Sequence, residues 1–254
     1  MRVVFIGAGN VATHLSLAMQ QAGMSIVQVY SHTESSAKCL SEKLHTEWTT
    51  DLNRLVVDAD MYVFSVKDAV LPSVIATIVP NNALWVHTAG SMPLDVFKGY
   101  VKRYGVLYPL QTFSKERKIS LQNVPLFLEA SSEETGEVLQ QAATLLSDNV
   151  RFLSSEKRKS LHLAAVFACN FTNHMYALAA KILEEKEIPT EVLLPLIDET
   201  AAKVHGMSPA EAQTGPAIRY DENVINKHQA MLSDSDTQEL YRLISQSIHK
   251  EAIR

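Results

Sequence analysis

Met1-Arg2-Val3-Val4-Phe5-Ile6-Gly7-Ala8-Gly9-Asn10-Val11-Ala12 is the stretch on which the fold turns. Val3 to Ile6 is a short apolar run of the kind that forms a buried parallel strand. It leads directly into G-x-G-x-x-A, and a helical apolar period begins at once with Val11, His14, Leu15, Ala18, Met19 and Ala22. Strand, glycine turn and helix in this order form the dinucleotide-binding fingerprint. Gly7 permits the tight turn. Gly9 carries no side chain, so a diphosphate can approach the backbone. Ala12 is small enough for the helix to pack close to the strand. The free N–H groups of the first helical turn, with the helix dipole behind them, then face the anion. Gly7, Gly9, Asn10 and Val11 are the expected diphosphate contacts. The plainer alternative is a glycine turn that holds no ligand.

Outward from this turn, strand and helix patterns alternate. Ser25 to Ser31 reads as a second strand, 34–45 as a helix and Asp51 to Val57 as a short helix. Met61 to Val66 is a strand followed by a helical run from Lys67 to Ile78. Leu84 to His87, Gly105 to Tyr108, Val124 to Glu129 and Val150 to Leu153 are further strands, with a Ser132-capped helix before the last. Such alternation predicts an α/β fold: a doubly wound, mostly parallel sheet with helices on both faces. From Ser154 no strand pattern remains. One long helix is expected over Ser155 to Lys186, another from Pro189 to His205, a capped turn at Ser208-Pro209-Ala210-Glu211, a loop at 214–219, and helices from about Asp221 and Asp236. The expected organisation is a dinucleotide-binding domain over 1–153 and an all-α domain over 154–254 that carries substrate and dimer contacts.

The bulk composition narrows the function classes. A hydrophobic share of 46% with 20% charged residues is that of a globular chain with a sizeable core. A net charge of −5 without a basic stripe argues against a nucleic-acid partner. Cys39 and Cys169 form neither a metal pair nor a disulfide framework, as expected in a reducing compartment. No targeting or membrane-spanning segment is recognised, so the expectation is a cytoplasmic protein, with no membrane partner and no metal.

In dinucleotide folds the tip of the second strand selects the cofactor. An acid there grips the ribose of NAD, whereas NADP needs space and donors for a phosphate. Here the strand ends Val29-Tyr30-Ser31-His32-Thr33. Ser31, Thr33 and the downstream Lys38 supply donors and no acid stands at the tip, which favours NADP over NAD. Glu34 offers the competing arrangement, and a simple turn with a helix cap is the plainer one.

Residues for chemistry cluster on the long C-terminal helix. His162, Asn170, Asn173 and His174 interrupt an apolar run. The last three share a face at helical spacing, with His162 two turns earlier. Asn170 suits a substrate carbonyl or carboxylate. His162 or His174 suits the proton that accompanies hydride transfer to C=O or C=N. Interhelix hydrogen bonding is the structural alternative for all of them. Val66 and Thr88, at the ends of two strands, are expected to flank the cofactor. Gln111, after another strand, and Arg219, as a bidentate anion clamp, are the candidate substrate contacts.

Several stretches taken together resemble a known family. They are Gly7-Ala8-Gly9-Asn10-Val11-Ala12, His87-Thr88-Ala89-Gly90, Tyr108-Pro109-Leu110-Gln111-Thr112-Phe113-Ser114, His162 through Phe171, and Thr214-Gly215-Pro216-Ala217-Ile218-Arg219. The chain resembles oxidoreductases that join a Rossmann-like NADP-binding domain to an uncharacterised helical domain, within the wider group similar to 6-phosphogluconate dehydrogenase and pyrroline-5-carboxylate reductase. The resemblance implies a nicotinamide-dependent oxidoreductase acting on a small, anionic metabolite, and a homodimer built on the helical domain. It does not supply a substrate. The wider group often carries Lys-x-x-x-Asn on the long helix, and here Val166 stands four residues before Asn170. Tyr108 stands where the family often has histidine. The missing lysine keeps a second expectation open: an NADP(H)-binding sensor that does not turn over.

Overall fold

The computed structural model describes residues 1–253. It opens with β1 (Arg2–Ile6), α1 (Asn10–Gln21), β2 (Ser25–Tyr30), α2 (Glu34–Leu44), β3 (Glu47–Thr49) and β4 (Met61–Phe64). α3 (Leu71–Thr77), β5 (Leu84–His87), β6 (Tyr104–Pro109), β7 (Leu126–Ala130), α4 (Glu133–Thr144), β8 (Val150–Phe152) and α5 (Ser155–Ala165) follow. The strands form one sheet in the order β3-β2-β1-β4-β5-β6-β7-β8. Every pairing is parallel except β6 with β7, which is antiparallel.

The near-continuous apolar strands are buried on both faces, as a doubly covered sheet requires. Val3, Phe5 and Val63 point to one core with Leu15 and Met19 of α1 and Leu139 and Ala143 of α4. Val4, Ile6, Tyr62, Phe64 and Trp85 point to the other, with Leu71, Ile75 and Phe97. Local chemistry sets several helix starts. Ser132 accepts from the Thr135 amide, and Glu133 and Glu134 follow in the first turn of α4, where the helix dipole favours them.

Two expectations for this region need correction. Residues 51–57 form only a 3-10 turn, Leu52–Arg54. The side chain of Gln28, inside β2, donates to the Arg54 carbonyl and accepts from the Val56 amide, so the backbone groups of a longer helix are already committed. The polar three-residue β3 was not anticipated; it pairs with the edge of β2. The helix expected from Lys67 begins at Leu71, with Pro72 in its first turn, where a missing N–H costs nothing.

The chain divides into two compact units, Met1–Cys169 and Asn170–Arg254. The expected single helix over 155–186 is interrupted at the division by a π segment, Val166–Phe171, between α5 and α6 (Thr172–Glu184). Its wider i→i+5 turn breaks the regular spacing expected along the run. The second unit continues with α7 (Leu194–Lys203), α8 (Pro209–Ala212), α9 (Pro216–Arg219), α10 (Glu222–Met231) and α11 (Ser235–Ala252). The helix expected from Pro189 starts as a 3-10 turn, Thr190–Leu193, and becomes α-helical only at Leu194, where Pro195 fits the first turn. The capping box at Ser208 and Glu211 is present. Residues 216–219 form a helical turn rather than the expected loop, entered through Gly215 at φ +104°. Among the described residues, no helix is long and apolar enough to cross a membrane.

Candidate active site at the carboxyl edge of the sheet

The glycine turn has two distinct halves. Gly7 lies at φ +118°, and a Cβ there would sit 2.2 Å from the Ser65 carbonyl oxygen. Its glycine is demanded by the fold, through backbone conformation and through the close approach of β1 to the end of β4. Gly9 is the reverse case. Its φ of −82° suits any residue, and a Cβ would meet nothing within 4 Å. The absent side chain leaves open space directly before α1, and no side chain caps that helix start. The arrangement fits a diphosphate, with amides available to an anion. Asn10 is committed to the protein: its Nδ2 donates to the Phe113 carbonyl at 2.7 Å. His14 makes a parallel link to the Ser114 carbonyl at 2.9 Å and stacks on Phe113, so the segment after β6 is tied to α1.

From Gly7 a line of groups runs along the carboxyl ends of β1, β4, β5 and β6. Ser65 and Thr88 share a hydroxyl hydrogen bond of 3.0 Å. Asp68 accepts from the Ser91 hydroxyl. Gly90 lies against the imidazole of His162 from α5; a Cβ there would be 2.6 Å from ring atoms. His162 Nδ1 is 3.0 Å from the Tyr108 hydroxyl, with the two rings edge to face. His162 is half-buried and Tyr108 buried.

A buried ion pair supports this edge. Arg158, four residues before His162, is 0% exposed. It donates to Glu129 at 2.5 Å, to the Met92 carbonyl and to the Ser155 hydroxyl. Burial alone would raise the Glu129 carboxyl, but hydrogen bonds from Ser155 and Arg158 outweigh it and hold the group below the usual range. The same cation acts on two neighbours. Burial pushes the Tyr108 hydroxyl up while Arg158 works against that rise. His87 is 0% exposed, and burial reinforced by Arg158 pushes it down to about 3. Its Nδ1 accepts from the Ala89 amide, so Nε2 donates to the Pro93 carbonyl. His87 is a neutral structural histidine that braces the turn after β5.

The remaining expected residues fall as follows. Ser31 is half-buried beyond β2, its amide bonded to Thr49. Thr33 occupies the N-cap position of α2 but makes no side-chain cap, and Lys38 is exposed. Val66 approaches Gly7, a Cβ at which would sit 3.3 Å from its Cγ1. Gln111 is exposed and folds back, its Oε1 accepting from the Thr112 amide. In the second unit, Asn170 lies in the π segment and His174 in α6, both exposed, as is Asn173. The face they share is open, because no residue of the π segment or of α6 is buried. Arg219 is exposed at the end of α9 and forms no salt bridge among the described residues.

Tyr108, Gly90, Arg158 and Glu129 were not among the expected site residues. Tyr108 and His162 are 54 positions apart, and only the sheet order brings them together. The one local sign was an arginine placed four residues before a histidine in a helix.

Comparison with known proteins locates the chain. The family model described as NADP oxidoreductase coenzyme F420-dependent matches residues 2–87. The model described as Domain of unknown function (DUF2520) matches residues 124–248. Among curated proteins none matches. A Bacteroides fragilis protein named as an NADP oxidoreductase is 53% identical over 98% of each chain, with a TM-score of 0.95. The reductive aminase of Aspergillus terreus, solved with NADPH and ethyl-5-oxohexanoate, is 14% identical with a TM-score of 0.73, covering 98% of this chain and 94% of that one. The 1-pyrroline-5-carboxylate reductase of Streptococcus pyogenes is 14% identical with a TM-score of 0.64, covering 100% and 99%. The last two show a common fold. With its glycine turn, sheet order and sequence identity to the Bacteroides protein, the chain belongs to that NADP oxidoreductase family and joins its N-terminal domain to a DUF2520 domain.

Proposed function

We propose that the protein is an NADP-dependent oxidoreductase that moves a hydride between nicotinamide and a C=O or C=N carbon of a small, anionic metabolite. The observation that carries this is the open space at Gly9 in front of an uncapped α1. Gly7, Gly9 and Val11 would hold the diphosphate, and Asn10 would brace the turn. Ser31, Thr33 and Lys38 would receive the 2′-phosphate, where no acid stands at the tip of β2 and the Thr33 hydroxyl is not spent on a cap. Val66 and Thr88 would line the path to the nicotinamide, and His162 would handle the proton. Asn170, His174, Gln111 and Arg219 would serve the substrate.

Bound nicotinamide supplies or accepts the hydride; the protein orients and polarises. A calorimetric titration tests the reading: NADPH is expected to bind more tightly than NADH. Gly9→Val should abolish binding while leaving the melting temperature unchanged, because its backbone angles and surroundings accept a side chain. Failure of every adenine dinucleotide to bind overturns the reading. A second reading rests on Val166, which replaces the lysine of the wider group. NADPH affinity without turnover of any keto acid or cyclic imine would select a sensor.

The second unit supports a homodimer. Val192, Leu194, Leu196, Val204, Met207 and Leu243 are all exposed, apolar groups that association would cover. A second copy of the chain is the proposed cover, and a monomeric mass by light scattering would exclude it.

A further inference from the structure

We infer that Tyr108 is the positioning residue that holds His162 with an Nε2–H donor facing the substrate and resupplies the imidazole from behind, so that the site is set for reduction. This rests on the oxidoreductase reading above and adds the direction in which the site is poised.

The geometry is specific. Among the described residues the Tyr108 hydroxyl has one hydrogen-bond partner, His162 Nδ1, at 3.0 Å. Tyr108 is buried, and burial keeps the phenol protonated near neutrality. We assign the protonated hydroxyl the donor role toward that ring nitrogen. Nδ1 is therefore the acceptor and Nε2 carries the proton. His162 Nε2 has no partner among the described residues, while the imidazole lies against Gly90, where a Cβ would overlap it. One ring nitrogen is fixed, and the other is left for a ligand.

The same arrangement removes a chemical obstacle. Neutral imidazole cannot give up Nε2–H alone without becoming an anion. With Tyr108 behind it, the balance closes. The C=O or C=N carbon would gain two electrons as the hydride that bound, reduced nicotinamide would supply. The Nε2–H bond breaks as the substrate O–H or N–H bond forms. The Tyr108 O–H bond breaks as Nδ1–H forms. The transient phenolate lies within the field of buried Arg158, which favours it. Water then protonates Nε2, and Nδ1 returns its proton to Tyr108. The substrate must present a hydrogen-bond acceptor, carbonyl oxygen or imine nitrogen, in the resting complex.

The test is a long-range 1H–15N correlation spectrum of the full chain at about pH 8, with His162 assigned by His162→Gln. The expected result is an Nε2–H tautomer whose Nδ1 resonance moves toward that of an unbonded ring nitrogen in Tyr108→Phe. Gly90→Ala, which displaces the ring, should produce the same loss if Tyr108→Phe folds poorly. An Nδ1–H tautomer in the parent, or an Nδ1 resonance unmoved by Tyr108→Phe, overturns the proposal. With a compound that oxidises NADPH, Tyr108→Phe should lower kcat about a hundredfold and spare KM. The double variant Tyr108→Phe, His162→Gln should be no slower than His162→Gln, as for residues acting as one unit; independent losses overturn the relay. NADPH binding measured alongside separates this outcome from the cofactor reading. Retained affinity with a wrong tautomer sinks the pair alone, and lost affinity in the parent sinks the oxidoreductase.

Discussion

The two units of this chain handle their apolar residues in opposite ways. In Met1–Cys169 the sheet separates two dense cores, and the polar side chains Gln28, Glu129, Arg158 and His87 make hydrogen bonds within them. In Asn170–Arg254 Ala217 and Ile225 are the buried apolar residues among those described, while Leu196 is 63% and Val192 59% exposed. A sheet that buries both faces closes its own core. The helical unit, small and with many of its apolar residues exposed, does not close a core of that kind within one chain. The first unit should therefore carry its stability internally, and the second should gain it by association.

The largest test of that contrast uses acid. His87 takes up a proton near pH 6.5 when unfolded and only near pH 3 when folded. Its contribution is whole above pH 6.5 and is lost as pH falls toward 3, by about 4–5 kcal/mol in all and about 1.4 kcal/mol per pH unit at the steepest. Glu129, held below its ordinary 4.5, adds a loss in the same direction further down. The interval from 6.5 to 4.5 therefore isolates His87. Urea denaturation across it should show the slope at every protein concentration; a slope that tracks concentration would break the comparison.

Next in size, Arg158→Ala leaves Glu129 without its buried cation and should cost about 3–5 kcal/mol, again independent of concentration. In the second unit, tenfold dilution should cost a dimer about 1.4 kcal/mol of apparent stability. Leu196→Lys should abolish that dependence and halve the mass seen by light scattering. Smallest, Ser132→Ala removes the cap of α4 and should cost about 1 kcal/mol, readable as a shift in denaturation midpoint.

What could be read from the sequence followed from how local the cause was. The glycine turn, the Ser132 cap and the Ser208–Glu211 box are determined by neighbouring residues, and so were legible. The 3-10 turn at 52–54 was not, because Gln28, on another strand, decides it. The π segment widens the backbone turn and shifts the spacing after it without leaving a mark in the apolar sequence pattern of 155–186, so no side-chain period reveals it. At the site, His162 stood out as a polar group in an apolar run. Tyr108 was marked only as a departure from the family's usual histidine, and its partner depends on which strand neighbours which.

The reversal of β7 has a consequence for where α5 delivers its side chains. Because β7 runs against β6, and β8 follows β7, the polypeptide leaves the sheet beside Glu129, level with Val106 in mid-strand. The helix must then climb back the way β6 travels. Seven residues on from Ser155, about 10 Å at helical rise, it reaches the level of Tyr108 with an imidazole in place. Had the last two strands kept the common direction, the journey would have ended at that rim instead of beginning below it, and the same histidine would have been carried past it.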